Sequence, residues 1–269
     1  MRPLCSVVMV TYNRASLLYR SVECYNQLRF PPDRLEIIIV DDGSDDNGDT
    51  RDVANGLRSD FDTTYMRIRK PSGLWRDTAM NINRGIRAAK GSVILITHPE
   101  VMPGRDTVTA CCDLASGFSY ACAKPYFLSQ PQQDAINTVG WTGEGPLAVR
   151  GLPGFYDPIE GGNPDFHPRA IEECKEWRSW VFGGHSRQTW RRLGGMIETA
   201  KWGTVDVIYS DRRKILGVID RTAMGEQTYC VHQWHECPTR GDEAGWKEEG
   251  SKITMTREAL QYPAIDNLW

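Results

Sequence analysis

The tripeptide His98-Pro99-Glu100 combines an imidazole and a carboxylate, two groups that bind divalent metal ions. It follows the apolar run SVILIT, which has the composition of a buried strand. Proline fixes its own φ angle and favours an extended conformation in the residue before it. We therefore expect a stiff turn at the carboxyl end of a strand, which is either a metal site or a polar loop.

Two further carboxylates, Asp41 and Asp42, follow the apolar run LEIIIV and precede Gly43. Side chains at the end of a buried strand are well placed to meet a ligand, because the strand holds them rigidly. Aspartate before glycine is also common in turns. This stretch alone is therefore compatible with a ligand site and with a simple turn.

The segment CVHQWHEC, residues 230–237, places His232 and His235 three residues apart. The chain has five histidines, and three of them lie in this segment and in the tripeptide. The spacing suits one helical turn with a single functional histidine. A zinc site of Cys and His ligands is disfavoured, because Cys230 and His232 are too close in the sequence for such a pair.

These polar segments need elements that position them, and the first hundred residues alternate strand and helix patterns. The predicted strands are CSVVMVTY, LEIIIVDDG, TTYMRIRK and SVILIT, and the predicted helices are NRASLLYRSVECYNQL, TRDVANGLRSDF and DTAMNINRGIRAAKG. Asn13 and Ser16 are candidate N-caps of the first helix. The alternation favours a parallel sheet with helices on both faces. Ligands of such sheets bind beyond the carboxyl ends of the strands, where TYN, DDGSDD and THPE gather.

The pattern becomes irregular after about residue 125. Residues 129–168 are rich in proline, glycine and glutamine, and we predict long loops for them. Regular patterns return in FGGHSRQTWRRLGG and in the helical segment WGTVDVIYSDRRKILG. The second half therefore has fewer predicted elements than the first.

Composition excludes several classes of protein. The formal net charge of −3 gives no whole-molecule attraction to nucleic acid or to anionic membranes. We find no run of the roughly 18 apolar residues that a transmembrane helix needs, and no signal-peptide pattern. The eight cysteines form no C-x-x-C pair and are interpreted as reduced thiols. These features predict a cytoplasmic protein without a transmembrane segment.

The order of these motifs resembles family 2 glycosyltransferases of GT-A fold. The likeness lies in VVMVTYNRASLL, EIIIVDDGSDD, NRGIRAAKG and the strand before His98, and it continues more weakly in FGGHSRQTWRRLGGMIE and WGTVDVIYSDRR. The resemblance implies an α/β GT-A fold, with a mostly parallel Rossmann-like central sheet, helices on both faces and an irregular C-terminal acceptor region. It also implies transfer of a sugar from a nucleotide-sugar donor, usually UDP-linked and usually with inversion. We predict one domain over residues 1–269, with a nucleotide-sugar-binding half at about 1–125 and an acceptor-binding half at about 126–269.

The resemblance assigns seven residues to the donor: Thr11, Tyr12, Asn13, Asp41, Asp42, Arg76 and Asn83. The first three would line the nucleoside pocket. Asp41 would accept a hydrogen bond from the uracil ring, since a carboxylate is a strong acceptor for an imide N–H, and Asp42 would lie beside the ribose. Arg76 and Asn83 would border the donor sugar and the diphosphate.

His98-Pro99-Glu100 stands where the family carries Asp-x-Asp, the motif that holds Mn²⁺ or Mg²⁺ on the diphosphate. The chain departs from this pattern at both acidic positions, although the related polypeptide N-acetylgalactosaminyltransferases carry Asp-x-His there. His232 lies in a segment that resembles the "v.H.wH" motif near the C-terminus of several GT-A enzymes. The resemblance thus implies a metal site of His98, Glu100 and His232. Nitrogen ligands favour Mn²⁺ over Mg²⁺ in it.

Asp206 stands at the aspartate of the family's Glu-Asp pair, whereas Val205 occupies the glutamate position. The resemblance makes Asp206 the base that takes the proton of the acceptor hydroxyl. A structural alternative is an aspartate that caps a helix or pairs with a nearby arginine. Candidates for the acceptor site are Trp180, Trp202 and His235.

The sequence therefore predicts a metal-dependent, inverting hexosyl- or pentosyltransferase that uses a UDP-sugar. The acceptor stays open among glycans, proteins, lipids and modified nucleic-acid bases. One alternative is an inactive nucleotide-sugar-binding module with a decayed metal motif. Another is a nucleotidyltransferase, which is disfavoured because TYNRAS lacks the glycine-rich loop that this class carries after its first strand.

Overall fold

The structure is a computed structural model that describes residues 4–69, 78–128, 130–139, 181–198, 205–225 and 227–235. Its strands are β1 (Cys5–Thr11), β2 (Leu35–Asp41), β3 (Asp62–Arg67), β4 (Val93–Thr97), β5 (Val101–Pro103), β6 (Ser119–Phe127), β7 (Phe182–Ser186), β8 (Ile219–Ala223) and β9 (Tyr229–His232). Its helices are α1 (Ala15–Tyr25), α2 (Asp49–Ala54), α3 (Thr78–Ala88), α4 (Thr107–Leu114), α5 (Gln130–Val139), α6 (Arg187–Leu193) and α7 (Val205–Ile215). None of the described helices is both long and apolar enough to cross a membrane.

The described strands form one mixed sheet in the order β3-β2-β1-β4-β7-β6-β9-β5, with β8 beside β6. The first four strands of this order are parallel, as predicted. Strand β7 is antiparallel to both β4 and β6, whereas β8 and β9 run parallel to β6. Strand β5 closes the order antiparallel to β9. The sheet thus continues from the first half of the chain into the second.

Alternate residues of the parallel strands pack into different halves of the core. Val7 of β1 and Ile37 of β2 lie in the cluster that contains Leu18 of α1. Their neighbours Val8 and Ile38 lie in the cluster that contains Ile82 of α3, together with Ile86. Because both faces are covered by helices, β1, β2 and β4 bury apolar side chains on both faces. The predicted helices on both faces of the sheet are confirmed.

The junction between the two halves depends on glycine. Gly184 of β7 lies opposite Leu95 of β4, and a Cβ atom at Gly184 would lie 2.0 Å from the Ile94 carbonyl oxygen. A Cβ at Gly183 would lie 2.4 Å from the Tyr120 hydroxyl. Larger side chains would clash at both positions, so the FGG segment allows β7 to pair closely with its neighbours.

Two expectations about local structure are wrong. Residues 130–139 form helix α5 within the region predicted as loops; Pro131 is compatible with it because the first turn of a helix needs no N–H donor there. The N-cap of α1 is Arg14, without a side-chain cap, rather than Asn13 or Ser16. Asn13 instead adopts a φ of 50° in the left-handed region and uses its side chain elsewhere.

Candidate functional site

The carboxyl ends of β1, β2 and β4 lie at one edge of the sheet, as the strand pattern predicts. Thr11 lies opposite Asp41, and Met9 lies opposite Thr97. The loops that follow β1 and β2 are tied together by a reciprocal pair, in which the Asp45 N–H donates to Asn13 Oδ1 at 2.9 Å and the Asn13 amide donates to the Asp45 carboxylate. The edge is therefore built from two mutually fixed polar loops.

Asp41 is buried at this edge, with 1% of its surface exposed. One carboxylate oxygen accepts hydrogen bonds from the Ser44 N–H at 2.8 Å and from the Ser44 hydroxyl at 2.7 Å. The other accepts from the Tyr65 hydroxyl and lies 3.9 Å from Arg67 Nε. The Ser44 hydroxyl in turn accepts from the Asn13 N–H at 2.9 Å. Asp41 thus shapes both loops, and its contact with uracil stays a prediction.

Other residues that were predicted to contact the nucleotide-sugar lie at the same edge. Asp42 is buried and accepts a hydrogen bond from the Asn81 side chain at 2.7 Å. Tyr12 is 39% exposed, whereas the buried Thr11 hydroxyl has no hydrogen-bond partner within the described ranges. Thr11 therefore offers a polar atom that the surrounding protein does not use.

Asn83 is completely buried in α3 and binds the loop after α6. Its side-chain oxygen accepts from the Met196 N–H at 2.8 Å, and its amide donates to the Met196 carbonyl at 2.8 Å and to the Glu198 carboxylate at 3.0 Å. The amide group of Asn83 therefore holds residues 194–198 in place. Its contact with a donor sugar stays a prediction.

The turn after β4 meets the C-terminal histidine segment. Glu100 Oε1 lies 3.7 Å from His232 Nε2 and 3.6 Å from His235 Nε2. Each of these three residues offers one atom that could bind a metal, and these three atoms lie within 4.8 Å of one another. Their side chains are between 13% and 22% exposed, so the group is enclosed but reachable from solvent. We call these three residues the Glu100 cluster.

Backbone pairing positions the Glu100 cluster. Val101 of β5 lies opposite His232 of β9, and the Gln233 N–H donates to the Glu100 carbonyl at 2.9 Å. The Val101 N–H donates to the His98 carbonyl at 3.2 Å, which closes the expected tight turn. Two segments far apart in the chain are thereby fixed side by side.

Burial and neighbouring charges set the protonation of the cluster. Burial alone would raise the pKa of Glu100, but the nearby imidazoles of His98, His232 and His235 outweigh it, so that pKa lies well below its ordinary value. Burial lowers the pKa of His232 to about 4, against the opposing effect of Glu100. At neutral pH Glu100 is ionised and His232 is neutral, the forms in which both groups bind metals.

The donor atoms of the cluster fit a divalent transition metal. A metal bonds to imidazole nitrogen and carboxylate oxygen at about 2.0–2.2 Å, so two neighbouring ligand atoms lie roughly 3.0–3.5 Å apart. The observed separations of 3.6 and 3.7 Å need only small adjustments. Two nitrogens and one carboxylate oxygen suit Mn²⁺ and its neighbours in the first row.

The structure thus places Glu100 and His232, two of the predicted metal ligands, close together and puts His235, an acceptor-site candidate from the sequence, beside them. His98 lies near enough for its charge to affect Glu100 and His232, but it is not a member of the cluster. Asp206 lies, partly buried, in the first turn of α7. Arg76, Trp180 and Trp202 lie outside the described residues.

Tyr65, Arg67 and Asn81 contact the edge but were not singled out from the sequence. Strand β3 pairs in register with β2, so that Arg67 lies opposite Asp41. The signal for Arg67 was available, because it ends a predicted strand of a parallel sheet. The contact of Asn81 could not be predicted from the sequence, because it depends on how α3 packs against the sheet.

Another histidine, His185 of β7, lies far from the Glu100 cluster in the sequence and is completely buried in the core. Its Nδ1 lies 2.6 Å from the Ser119 carbonyl, which can only accept, so Nδ1 carries the proton and Nε2 accepts from the Tyr209 hydroxyl. The ring packs edge-on against Trp190, which stacks on Tyr209. Burial lowers the pKa of His185 to about 3, so the ring is neutral. We call His185, Trp190 and Tyr209 the His185 cluster.

Comparison with known proteins adds family information to this geometry. Residues 6–112 match the family model described as Glycosyl transferase family 2. Among curated proteins, the chain is similar to the probable glycosyltransferase YdaM of Bacillus subtilis (strain 168), with 29% identity over 106 residues. That match covers 39% of this chain and 25% of the relative. The family-model match therefore lies in the part of the chain that carries β1 to β5.

Solved structures show the same fold over most of the chain. The mannosyltransferase PcManGT from Pyrobaculum calidifontis, solved with GDP-Man and Mn²⁺, has a TM-score of 0.55 at 21% identity, over 91% of this chain and 60% of that one. Residues 1–349 of S. aureus TarS, solved with UDP-GlcNAc, have a TM-score of 0.59 at 13% identity, over 90% and 61%. This chain thus spans about three fifths of each. The fold is that of GT-A glycosyltransferases, and residues 6–112 are similar to glycosyl transferase family 2.

Proposed function

We propose that this chain is a metal-dependent glycosyltransferase that moves a hexose or pentose from a UDP-sugar to an acceptor hydroxyl with inversion. The Glu100 cluster is the observation that carries the proposal. It lies directly after β4, in a fold where donors bind beyond the carboxyl ends of the strands. The family match and the nucleotide-sugar complexes of TarS and PcManGT support the same function.

Glu100, His232 and His235 would hold the ion in this proposal, with Mn²⁺ favoured over Mg²⁺ because two ligands are nitrogens. A bound divalent ion would supply positive charge to the departing diphosphate. Thr11, Tyr12 and the loop fixed by Asn13 would form the nucleoside side of the pocket. A cytoplasmic location remains part of the proposal.

Asp206 would accept the proton of the acceptor hydroxyl as that oxygen attacks the sugar. A carboxylate in the first turn of α7 lies near the positive end of the helix dipole, which favours its ionised form. An ionised carboxylate is the form that a base requires. The same position would also suit an aspartate that only stabilises the helix, so the role needs a kinetic test.

The donor is tested by thermal unfolding with UDP, GDP and their sugar derivatives, each with and without Mn²⁺. We expect UDP and a UDP-sugar to raise the melting temperature more with Mn²⁺ than without, because a ligand that binds only the folded state stabilises it. Stabilisation by GDP but not by UDP would indicate that the donor is a GDP-sugar and not a UDP-sugar. No stabilisation by any nucleotide would refute the proposed function.

The base is tested by release of UDP in a screen of acceptor classes. Asp206→Asn should lower kcat by about 10²–10⁴-fold, the usual contribution of a general base. Asp211→Asn, an exposed aspartate on the same helix, is the matched control and should leave kcat unchanged. Equal rates for wild type and Asp206→Asn would remove Asp206 from this role. Donor binding without UDP release for any acceptor would favour the inactive module.

A further inference from the structure

Both segments of the Glu100 cluster are anchored on one helix, α1. The turn is held by Ser21, whose hydroxyl donates to the Pro99 carbonyl at 2.6 Å. Pro99 is buried and lies between His98 and Glu100. The hydroxyl therefore fixes the backbone of the turn directly beside the Glu100 ligand.

The histidine segment is held by Gln233, which lies between His232 and His235. Its side-chain amide donates to the Leu17 carbonyl of α1 at 2.8 Å, and its side-chain oxygen accepts from Gln133 of α5 at 3.4 Å. The side chain is completely buried, so these contacts are not shared with solvent. The residue also donates its own N–H to the Glu100 carbonyl.

The two anchors are in contact with each other. Leu17 and Ser21 are four residues apart and so lie on one face of α1. The Gln233 amide lies 3.5 Å from the Ser21 hydroxyl. One turn of α1 thus contacts both the turn and the histidine segment and adds to the backbone pairing between them. Neither side chain belongs to the ligand set itself.

We propose that Ser21 and Gln233 are positioning residues that set the spacing of the Glu100 cluster for a divalent ion. This inference rests on the proposed function, because it assumes that the cluster binds metal. Metal sites tolerate only about 0.2 Å of change in ligand distance. Loss of either anchor removes a side-chain hydrogen bond between α1 and one of the two segments.

The test uses Co²⁺ as the probe, because its visible absorption reports the ligands around the ion. The full chain is compared with Ser21→Ala and Gln233→Leu, which remove the anchoring groups and keep all three ligands. We expect Co²⁺ to bind about 10–100-fold more weakly to both variants, the usual cost of losing a group that supports metal ligands. The absorption spectrum of the bound ion should also change.

Ser6→Ala is the matched control. Ser6 is another completely buried serine, but its hydroxyl binds Glu36 and the Gly91 N–H near the amino end of β1, away from the cluster. This variant should lose stability in metal-free thermal unfolding and keep wild-type Co²⁺ binding. A variant that fails to fold is recognised in the same unfolding measurement, and the other anchor variant then carries the test.

The Co²⁺ measurements distinguish a failure of the positioning roles from a failure of the metal site. If wild type binds Co²⁺ and both anchor variants bind it with the same affinity and spectrum, the positioning roles are wrong and the metal site stands. An equal loss in Ser6→Ala would also overturn the inference, because the effect would then be general instability. If wild type binds no ion, the metal site fails and the inference fails with it.

Discussion

The Glu100 cluster and the His185 cluster both contain histidine, yet the fold uses the two in opposite ways. His185 has a fixed partner on each ring nitrogen, no exposed surface and aromatic neighbours. His232 and His235 remain about one fifth exposed and face a carboxylate. Imidazole is therefore used as packing in one place and as a set of converging donor atoms in the other.

This difference separates the core histidine from the two histidines proposed as metal ligands. Burial lowers the pKa of both His185 and His232, so a shifted pKa alone does not distinguish them. The partners of the rings do, because both His185 nitrogens are held by neutral core groups, whereas His232 and His235 each direct Nε2 toward the Glu100 carboxylate. Substitutions in the Glu100 cluster should therefore change metal binding, and substitutions in the His185 cluster should change stability.

Glu100→Gln should have the largest effect. The amide keeps the size of the side chain but removes the charge that neutralises the ion, so Mn²⁺ should bind more than about 100-fold more weakly, beyond the cost of losing a supporting group. Isothermal titration with Mn²⁺ measures the change. Glu23→Gln on α1, which removes an ion pair with Arg20, is the control. Unchanged affinity in Glu100→Gln would break the contrast.

His235→Ala and His98→Ala distinguish the two candidates for the third ligand. Because His235 Nε2 lies 3.6 Å from Glu100 and His98 is outside the cluster, His235→Ala should lose about tenfold or more in Mn²⁺ affinity and His98→Ala less. The same titration compares them. The opposite order would restore the sequence-based assignment of His98.

Tyr209→Phe should destabilise the fold and leave metal binding intact. The change preserves the ring that stacks on Trp190 but leaves buried His185 Nε2 without a donor, a loss of about 1–3 kcal/mol in the free energy of unfolding. Urea denaturation measures the loss, and Mn²⁺ titration is the control. Unaltered stability would show that the hydrogen bond contributes nothing to the free energy of unfolding. Weaker Mn²⁺ binding by the variant would show that the two clusters are energetically coupled.

The smallest effect is a pH dependence of stability from His185. Its folded pKa of about 3 lies below the ordinary value of 6.5, so its contribution is complete above pH 6.5 and is lost as the pH falls toward 3. Metal-free thermal unfolding between about pH 7 and about pH 5 should show decreasing stability. His232 acts in the same direction. The variant His185→Gln should therefore have a shallower slope, and an equal slope would contradict the assignment.

The first half of the chain was predictable because local patterns determine it. The near-continuous Ile and Val runs of β1, β2 and β4 occur in strands buried on both faces, and parallel pairing then aligns Thr11, Asp41 and Thr97 at one edge. The family motifs lie in the same region. Helix α5 was missed because its proline and glutamines are typical of a loop. Its burial of Gln133 and Ile136 is seen only in the structure.

The roles of individual polar residues were less predictable. Asp41 and Asn83 were assigned to the donor, yet their side chains hold Ser44, Tyr65 and the backbone of Met196. Polar residues at the ends of buried strands can be recognised from the sequence, but the pattern does not distinguish a contact with protein from one with a ligand. That distinction requires the hydrogen-bond partners.

The parallel half of the sheet, the polar edge and the types of group available for a metal follow from local sequence, because periodicity and side-chain chemistry are local properties. Which of these groups meet depends on the folded structure. The pairing of Val101 with His232 brings together segments far apart in the chain, and it adds His235 to Glu100. Such long-range pairing depends on the packing of the whole sheet, which no local pattern encodes.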